Sequence, residues 1–273
     1  MRPAQQTLLL SVLMLLCGVN FDASAALAAD SAPQPKFAPT TQRMALSHEY
    51  LQKAEAPDFW AMIPYYVPQR DGSACSLASV TMVVNAARAT QPLGAQDKLA
   101  TQDEVIERVQ HRGWRQGFFG GASTRGGVTL DQLGEITPLA LAAYGVKGAT
   151  VEVVHADNPQ SPELRAKLHA ALVENERGAR DFILINYDQK VFTNDESVGH
   201  ISPIAAYDAA KGRVLVMDPD RSWYEPYWVP EQALLDAMAT RDPSVAKARG
   251  WVHVRLPVPA PMASASPAPS AAK

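Results

Sequence analysis

The stretch Gln69-Arg70-Asp71-Gly72-Ser73-Ala74-Cys75-Ser76-Leu77-Ala78-Ser79-Val80-Thr81-Met82-Val83-Val84-Asn85 decides how the chain is read. From Leu77 the apolar residues fall at Leu77, Val80, Val83, Val84 and Ala87, the spacing of one helical face. Ser76, Ser79, Asn85 and Arg88 fall elsewhere on the wheel. Asp71-Gly72-Ser73 is turn chemistry, so the helix is expected to open close to Cys75. Unpaired N–H groups and the positive end of the macrodipole favour a thiolate there, below the ordinary thiol value of about 8.5. A lone cysteine among small residues is as often just a small buried side chain, so the rest of the chain has to decide.

A chain of 273 residues, 47% of them hydrophobic, has enough material for a real core. Its formal net charge of -3 offers no basic field for nucleic acid or an anionic membrane, so a small-molecule or peptide substrate is expected. Residues 1–29 carry Arg2, the apolar run Leu8 to Leu16 and a small-residue stretch from Ala23 to Ala29, the layout of a cleaved secretory signal. The run is too short to span a bilayer comfortably, and no stable membrane association is expected. The expected compartment is periplasmic or extracellular. Cys17 leaves with the signal, and Cys75 remains as a single thiol where disulfides are the usual fate of cysteine.

Residues 30–43 read as a Pro/Ala/Gln linker, 44–256 as the folded domain and 257–273 as a disordered Pro/Ala/Ser tail. Phe59, Trp60, Ile63, Tyr65, Tyr66 and Val67 make an aromatic entry to Gln69, expected as a short strand or wall of core packing. Capping boxes open helices at Thr101 and Thr129, and Ser161-Pro162 opens another. The glycine-rich run from Gly113 to Gly127 lacks a phosphate-binding pattern and is expected as a flexible loop near the cleft. Thr150–Val154, Phe182–Tyr187, His200–Asp208, Arg213–Asp218 and Gly250–Leu256 read as strands, with a helix at Pro230–Thr240. The plan is α+β, a helical lobe carrying Cys75 beside a mainly antiparallel sheet.

A thiol nucleophile needs a base, and the base needs an orienting partner. His48, His111, His155 and His169 show no obvious partner in the sequence, and His253 alternates within the last strand. His200 opens the first strand of a hairpin centred near residue 210 and Asp218 ends the second, so the two lie roughly opposite. A structural His-Asp pair would look the same from sequence.

Gln69 six residues before Cys75, the run Gly199-His200-Ile201-Ser202-Pro203, the separation of 18 residues from His200 to Asp218, and Asp218-Pro219-Asp220-Arg221 together resemble the phytochelatin synthase catalytic domain. The resemblance covers roughly Phe59 to Val254. It implies a papain-like cysteine peptidase fold, with Cys75 as nucleophile, His200 as general base and acid, Asp218 as orienting carboxylate and Gln69 as an oxyanion-hole donor beside the Cys75 N–H. It also implies a substrate pocket using Asn186, Gly199, Asp242 and Arg249. An Asp and an Arg in one pocket suit the ammonium and carboxylate of a γ-glutamyl group.

The expected activity is cleavage of glutathione to glycine and a γ-glutamylcysteinyl thioester on Cys75, resolved by water or by a second glutathione. No cysteine follows Cys75, where the plant enzymes carry a cysteine-rich extension, so hydrolysis is expected to predominate. No cofactor is expected to be tightly bound, and Cd²⁺ or Zn²⁺ would enter as the metal-thiolate of the substrate. A homodimer stays open. The rival readings are a bacteriocin-leader-type cysteine peptidase and a non-catalytic thiol or metal-binding protein.

Overall fold

The computed structural model describes residues 33–257 apart from 90, 93 and 120–126. The expected signal peptide, the start of the linker, the tail beyond Pro257 and Gly120, Gly121 and Gly126 of the glycine-rich run lie outside the described residues. All elements belong to the unit Pro35–Lys273. They begin with β1 (Gln42–Arg43), α1 (Glu49–Lys53), α2 (Pro57–Met62), α3 (Cys75–Arg88), α4 (Gln102–Arg108), α5 (Arg112–Phe119), α6 (Leu130–Ala143) and β2 (Thr150–His155). They continue with α7 (Pro162–Asn175), β3 (Asp181–Asp188), β4 (Gly199–Asp208), β5 (Arg213–Val216), β6 (Tyr227–Pro230), α8 (Glu231–Met238), β7 (Arg241–Asp242), β8 (Lys247–Ala248) and β9 (Gly250–Arg255).

Seven strands form one sheet in the order β1-β6-β5-β4-β3-β9-β2, with every neighbouring pair antiparallel. The α+β class expected from the sequence holds. Strand alternation sends residues to two separate cores. Phe182, Leu184, Ile201, Leu215, Trp228, Val252 and Val254 join the core shared with α2, α3, α4 and α6. Ile183, Ile185, Tyr187, Val214, Val216, Tyr227 and Trp251 join the other, with α7 and α8. The sheet is thus covered on both faces, which is why β3, β4 and β5 are buried over almost their whole length.

Local chemistry sets the helix starts. Thr101, Thr129 and Ser161 each accept the N–H three residues on, and the Thr129–Gln132 box is reciprocal. Two local expectations are corrected. The aromatic entry is helical, since Pro57 stands in the first turn of α2, where its missing N–H costs nothing. Residues 112–119 form a helix rather than a loop, anchored by the buried Trp114, whose Nε1 donates to Ser76 Oγ at 3.3 Å. The end of the expected linker meets the sheet, Gln42 and Arg43 pairing with Trp228 and Tyr227. Among the described residues no helix is long and apolar enough to cross a membrane.

Gly250 opens β9 where the chain passes closest to β2. A Cβ there would stand 1.9 Å from the Val154 carbonyl oxygen, and backbone cannot give way as a side chain could. Gly250→Ala is expected to destabilise the fold by about 3 kcal/mol, which corresponds to roughly 10 °C in melting temperature for a domain of this size. Thermal unfolding followed by circular dichroism measures it, and a variant melting within about 2 °C of the parent would refute the close approach.

Candidate active site

The chain approaches Cys75 through a closed turn. The Asp71 carboxylate accepts from Ser73 N at 3.0 Å and Ser73 Oγ at 2.7 Å, and Ala74 N donates to Asp71 O at 3.1 Å. Cys75 is then the first residue of α3, 7% exposed, where backbone N–H groups have no acceptor within the helix. The polar positions of α3 do not face water. Ser79 Oγ donates to Ile201 O of β4 at 3.0 Å, and Asn85 bonds both the N–H and the carbonyl of Ala100. The Ser79 bond seats α3 against β4, the strand that carries His200, and the Asn85 bonds tie α3 to the segment before α4.

His200 is buried, and its Nε2 lies 2.7 Å from Asp218 Oδ1. The remaining ring nitrogen, Nδ1, is left free of Asp218, and Cys75 is close enough to strengthen the hold of the imidazole on its proton. Burial works against the imidazolium, yet the charge and hydrogen bond of Asp218, with the contribution of Cys75, lift His200 well above its ordinary value. Asp218 is fully buried, which alone would push its carboxyl up. The His200 charge and hydrogen bond, the Asp220 N–H and the Tyr227 hydroxyl outweigh that and hold it below the usual range.

Asp218 also ties two loops together. Its carbonyl accepts from Tyr66 Oη at 2.5 Å, Arg221 Nη1 donates to Tyr66 O at 2.9 Å, and Gln69 N donates to Pro219 O at 2.8 Å. Arg221 further stacks its guanidinium 4.5 Å from the Tyr66 ring centre. Gln69 is therefore positioned by the loop that carries Asp218. Its Oε1 is buried without a partner, and it does not line the cavity described next.

A cavity of about 220 Å³ opens beside Cys75. Asn186, Gly199, Asp242 and Arg249 all line it, with Val128 and Ser244. Asn186 comes from β3, Gly199 from β4 and Asp242 from the β7–β8 hairpin, which returns the chain to Arg249. Arg249 is buried 3.8 Å from Asp242 Oδ2, and its Nε has no partner among the described residues. Asp242 Oδ1 is taken by Ser244, which leaves the Asp242–Arg249 pair long and loosely engaged. Gly199 lies against the guanidinium, where a Cβ would come 3.0 Å from Arg249 Nη2. The arrangement places a thiol and imidazole beside a pocket lined by a cation and a carboxylate.

Three of the four histidines without visible partners in the sequence do have them. His111 meets Glu135 at 2.9 Å, His155 meets Asp131 at 2.9 Å, and His169 meets Glu231 at 3.2 Å. His253 forms a second buried pair, 2.5 Å from Asp181. Among the described residues Glu174, Asp181 and His253 are the one group close enough to hold a metal ion, but Arg255 donates to both Glu174 oxygens. Sequence reading also missed Tyr187 and Tyr227, whose hydroxyls reach Asp218 Oδ2 at 3.2 and 2.9 Å. The register was the available signal, since Tyr187 pairs directly with His200.

The chain is similar to glutathione gamma-glutamylcysteinyltransferase 1 of Lotus japonicus, 26% identical over 235 residues that make up 83% of this chain and 41% of the relative. The protein of the same name from Triticum aestivum is 28% identical over 82% of this chain and 41% of its own length. Glutathione gamma-glutamylcysteinyltransferase 2 of Arabidopsis thaliana is 25% identical over 77% and 42%. The chain thus spans about two fifths of the length of these relatives. A family profile described as phytochelatin synthase matches residues 36–251, a span that contains Cys75, His200, Asp218 and every residue named at the cavity, and the chain belongs to the phytochelatin synthase family.

Proposed function

We propose that the protein is a papain-like thiol acyltransferase or hydrolase that cleaves glutathione through a γ-glutamylcysteinyl thioester on Cys75. The observation that carries this reading is the position of the Cys75, His200 and Asp218 set beside a cavity lined by Asp242 and Arg249. His200 Nδ1 takes the Sγ proton, and the resulting imidazolium, held by Asp218, is the counter-ion a thiolate needs. The thiolate attacks the carbonyl of the Cys-Gly amide. The developing oxyanion is met by the Cys75 N–H at the start of α3 and by the Gln69 amide, each such donor contributing about 3 kcal/mol to the transition state. The imidazolium then gives its proton to the departing glycine nitrogen. Water or the amine of a second glutathione, deprotonated by His200, releases the thioester.

The cavity accounts for the choice of acyl group. Arg249 receives the γ-glutamyl carboxylate on its planar fork and Asp242 the ammonium, with Asn186 and Gly199 shaping the wall. At about 220 Å³ it is smaller than drug-sized pockets of roughly 300 to 1,000 Å³. That favours a short γ-glutamyl unit over a peptide leader. A passive thiol-binding site would have no use for an imidazole oriented by a buried carboxylate. In this reading residues 1–29 are a cleaved export signal, the protein acts outside the cytoplasm, and Cd²⁺ or Zn²⁺ arrives as the thiolate complex of the substrate.

Incubation of the protein with glutathione, with and without Cd²⁺ or Zn²⁺, tests the proposal by mass spectrometry of the products. Glycine with γ-glutamylcysteine is expected, and longer γ-glutamylcysteine oligomers would add transfer to hydrolysis. Intact glutathione together with cleavage in a peptide library would replace the reading with a peptidase. Stoichiometric binding without product would replace it with a binding protein.

A further inference from the structure

Two tyrosine hydroxyls converge on the one carboxylate oxygen that His200 leaves free. Asp218 Oδ1 accepts from His200 Nε2 at 2.7 Å and from Asp220 N at 2.9 Å. Oδ2 accepts from Tyr227 Oη at 2.9 Å and from Tyr187 Oη at 3.2 Å. The two hydroxyls lie 2.9 Å apart, and Tyr187 Oη is also 3.0 Å from Ser202 Oγ. These groups come from three strands of the sheet: β3 supplies Tyr187, β4 supplies His200 and Ser202, and β6, beyond β5, supplies Tyr227. The Tyr187 ring stands edge-on to the imidazole, with centres 5.6 Å apart at 87°.

Resting on the reading of Cys75, His200 and Asp218 as one unit, we propose that Tyr187 and Tyr227 are positioning residues that keep Asp218 ionised and thereby sustain the imidazolium against Cys75. A carboxylate buried this deeply has no water to solvate its second oxygen, and an unpartnered oxygen would favour the protonated acid. The two hydroxyls do the work of water there. Both are themselves buried, and burial together with the Asp218 charge keeps them protonated, so they remain donors. The other groups around Asp218 do not replace them. Tyr66 bonds only its backbone carbonyl, Arg221 is engaged with Tyr66, and the Asp220 carboxylate is a like charge.

The test reads the ion pair without depending on any substrate. Iodoacetamide alkylation at the Cys75 peptide is followed by mass spectrometry against pH in the parent, Tyr187→Phe, Tyr227→Phe and the double variant, beside glycine release from glutathione over the same range. Loss of one donor to a charged acceptor is expected to move the acid inflection of alkylation upward by up to about one pH unit, and loss of both by more than one. Tyr224→Phe is the packing control, because its ring neighbours Tyr227 while its hydroxyl donates to Asp195, and its profile is expected to match the parent. A mere loosening of packing would slow alkylation equally at every pH. An unshifted inflection in the double variant, or an equal shift in Tyr224→Phe, overturns the proposal. A shifted inflection in a protein that releases no glycine would leave the tyrosines in their role and refute glutathione as the substrate. Should the double variant unfold, the single variants carry the same comparison.

Discussion

Cys75→Ala is expected to abolish release of glycine from glutathione while leaving the fold intact. The sulfur is the acceptor of the γ-glutamylcysteinyl group in the proposed route, so nothing else in the cavity can form the intermediate. Asn186, Asp242 and Arg249 line the same cavity but hold no comparable nucleophile. Loss of the nucleophile from a triad of this kind costs on the order of 10⁶-fold in turnover. Serine is expected to fare little better, since its hydroxyl is a far weaker acid than a thiol and His200 would have to remove a much less mobile proton. Structure should survive, because Cys75 follows Ala74 at a helix start whose turn is held by Asp71 and Ser73, neither of which is touched. Glycine release by mass spectrometry, with circular dichroism as the folding control, decides it. Release at even a hundredth of the parent rate from Cys75→Ala would remove the thioester from the mechanism.

Where local chemistry dictates structure, the sequence was sufficient. The Asp71-Gly72-Ser73 turn placed the start of α3 at Cys75, and the threonine and serine caps placed α4, α6 and α7. Apolar runs located β2, β3, β4, β5 and β9 to within about two residues. What failed depended on contacts far along the chain. α5 carries glycines that disfavour a helix, and it is held by Trp114 against Ser76, 38 residues away. The partners of Ser79 and Asn85 on α3, Ile201 and Ala100, cannot be seen in a helical wheel either. Coverage of the sheet on both faces was likewise hidden, since a buried strand shows no alternation that would assign its two sides.

The site divides in the same way. The hairpin brought His200 and Asp218 together, although not by the direct opposition that simple counting suggested. A bulge between Ile204 and Ala206 shifts the register, and the β4–β5 ladder ends at Ile204 and Val216. The two side chains meet beyond it, at the sheet's end. Asn186, Gly199, Asp242 and Arg249 were legible only through family resemblance, because a cavity assembled from β3, β4 and a separate hairpin leaves no local pattern. Tyr187 and Tyr227 carry no signature at all apart from β-sheet register. An aromatic residue in a buried strand is ordinarily core, and only its hydroxyl geometry says otherwise.

Asp218→Asn is the substitution that separates orientation from charge. The amide has the shape of the carboxylate but no charge, and with four donors facing the site it must present its own NH₂ either to His200 Nε2 and Asp220 N or to the tyrosine hydroxyls. Turnover is expected to fall by roughly 10³- to 10⁴-fold, the scale for neutralising an orienting carboxylate. Stability should respond with a definite sign. His200 is raised in the folded state, so its contribution is full below the unfolded value of about 6.5 and is lost as pH climbs through the folded value. Asp218 is lowered, so its contribution is full above about 3.9 and is lost as pH falls through the folded value. The pair therefore stabilises most between about pH 4 and 6.5. In the variant a buried His200 without its counter-charge favours unfolding in that same window, where it would gain a proton on release. The melting-temperature difference between parent and variant is expected to be large at pH 5.5 and to shrink as the pH is raised through the folded value of His200, where the parent surrenders its imidazolium. A difference that stays constant across that range, together with turnover within tenfold of the parent, would show that Asp218 supports packing rather than the charge on His200.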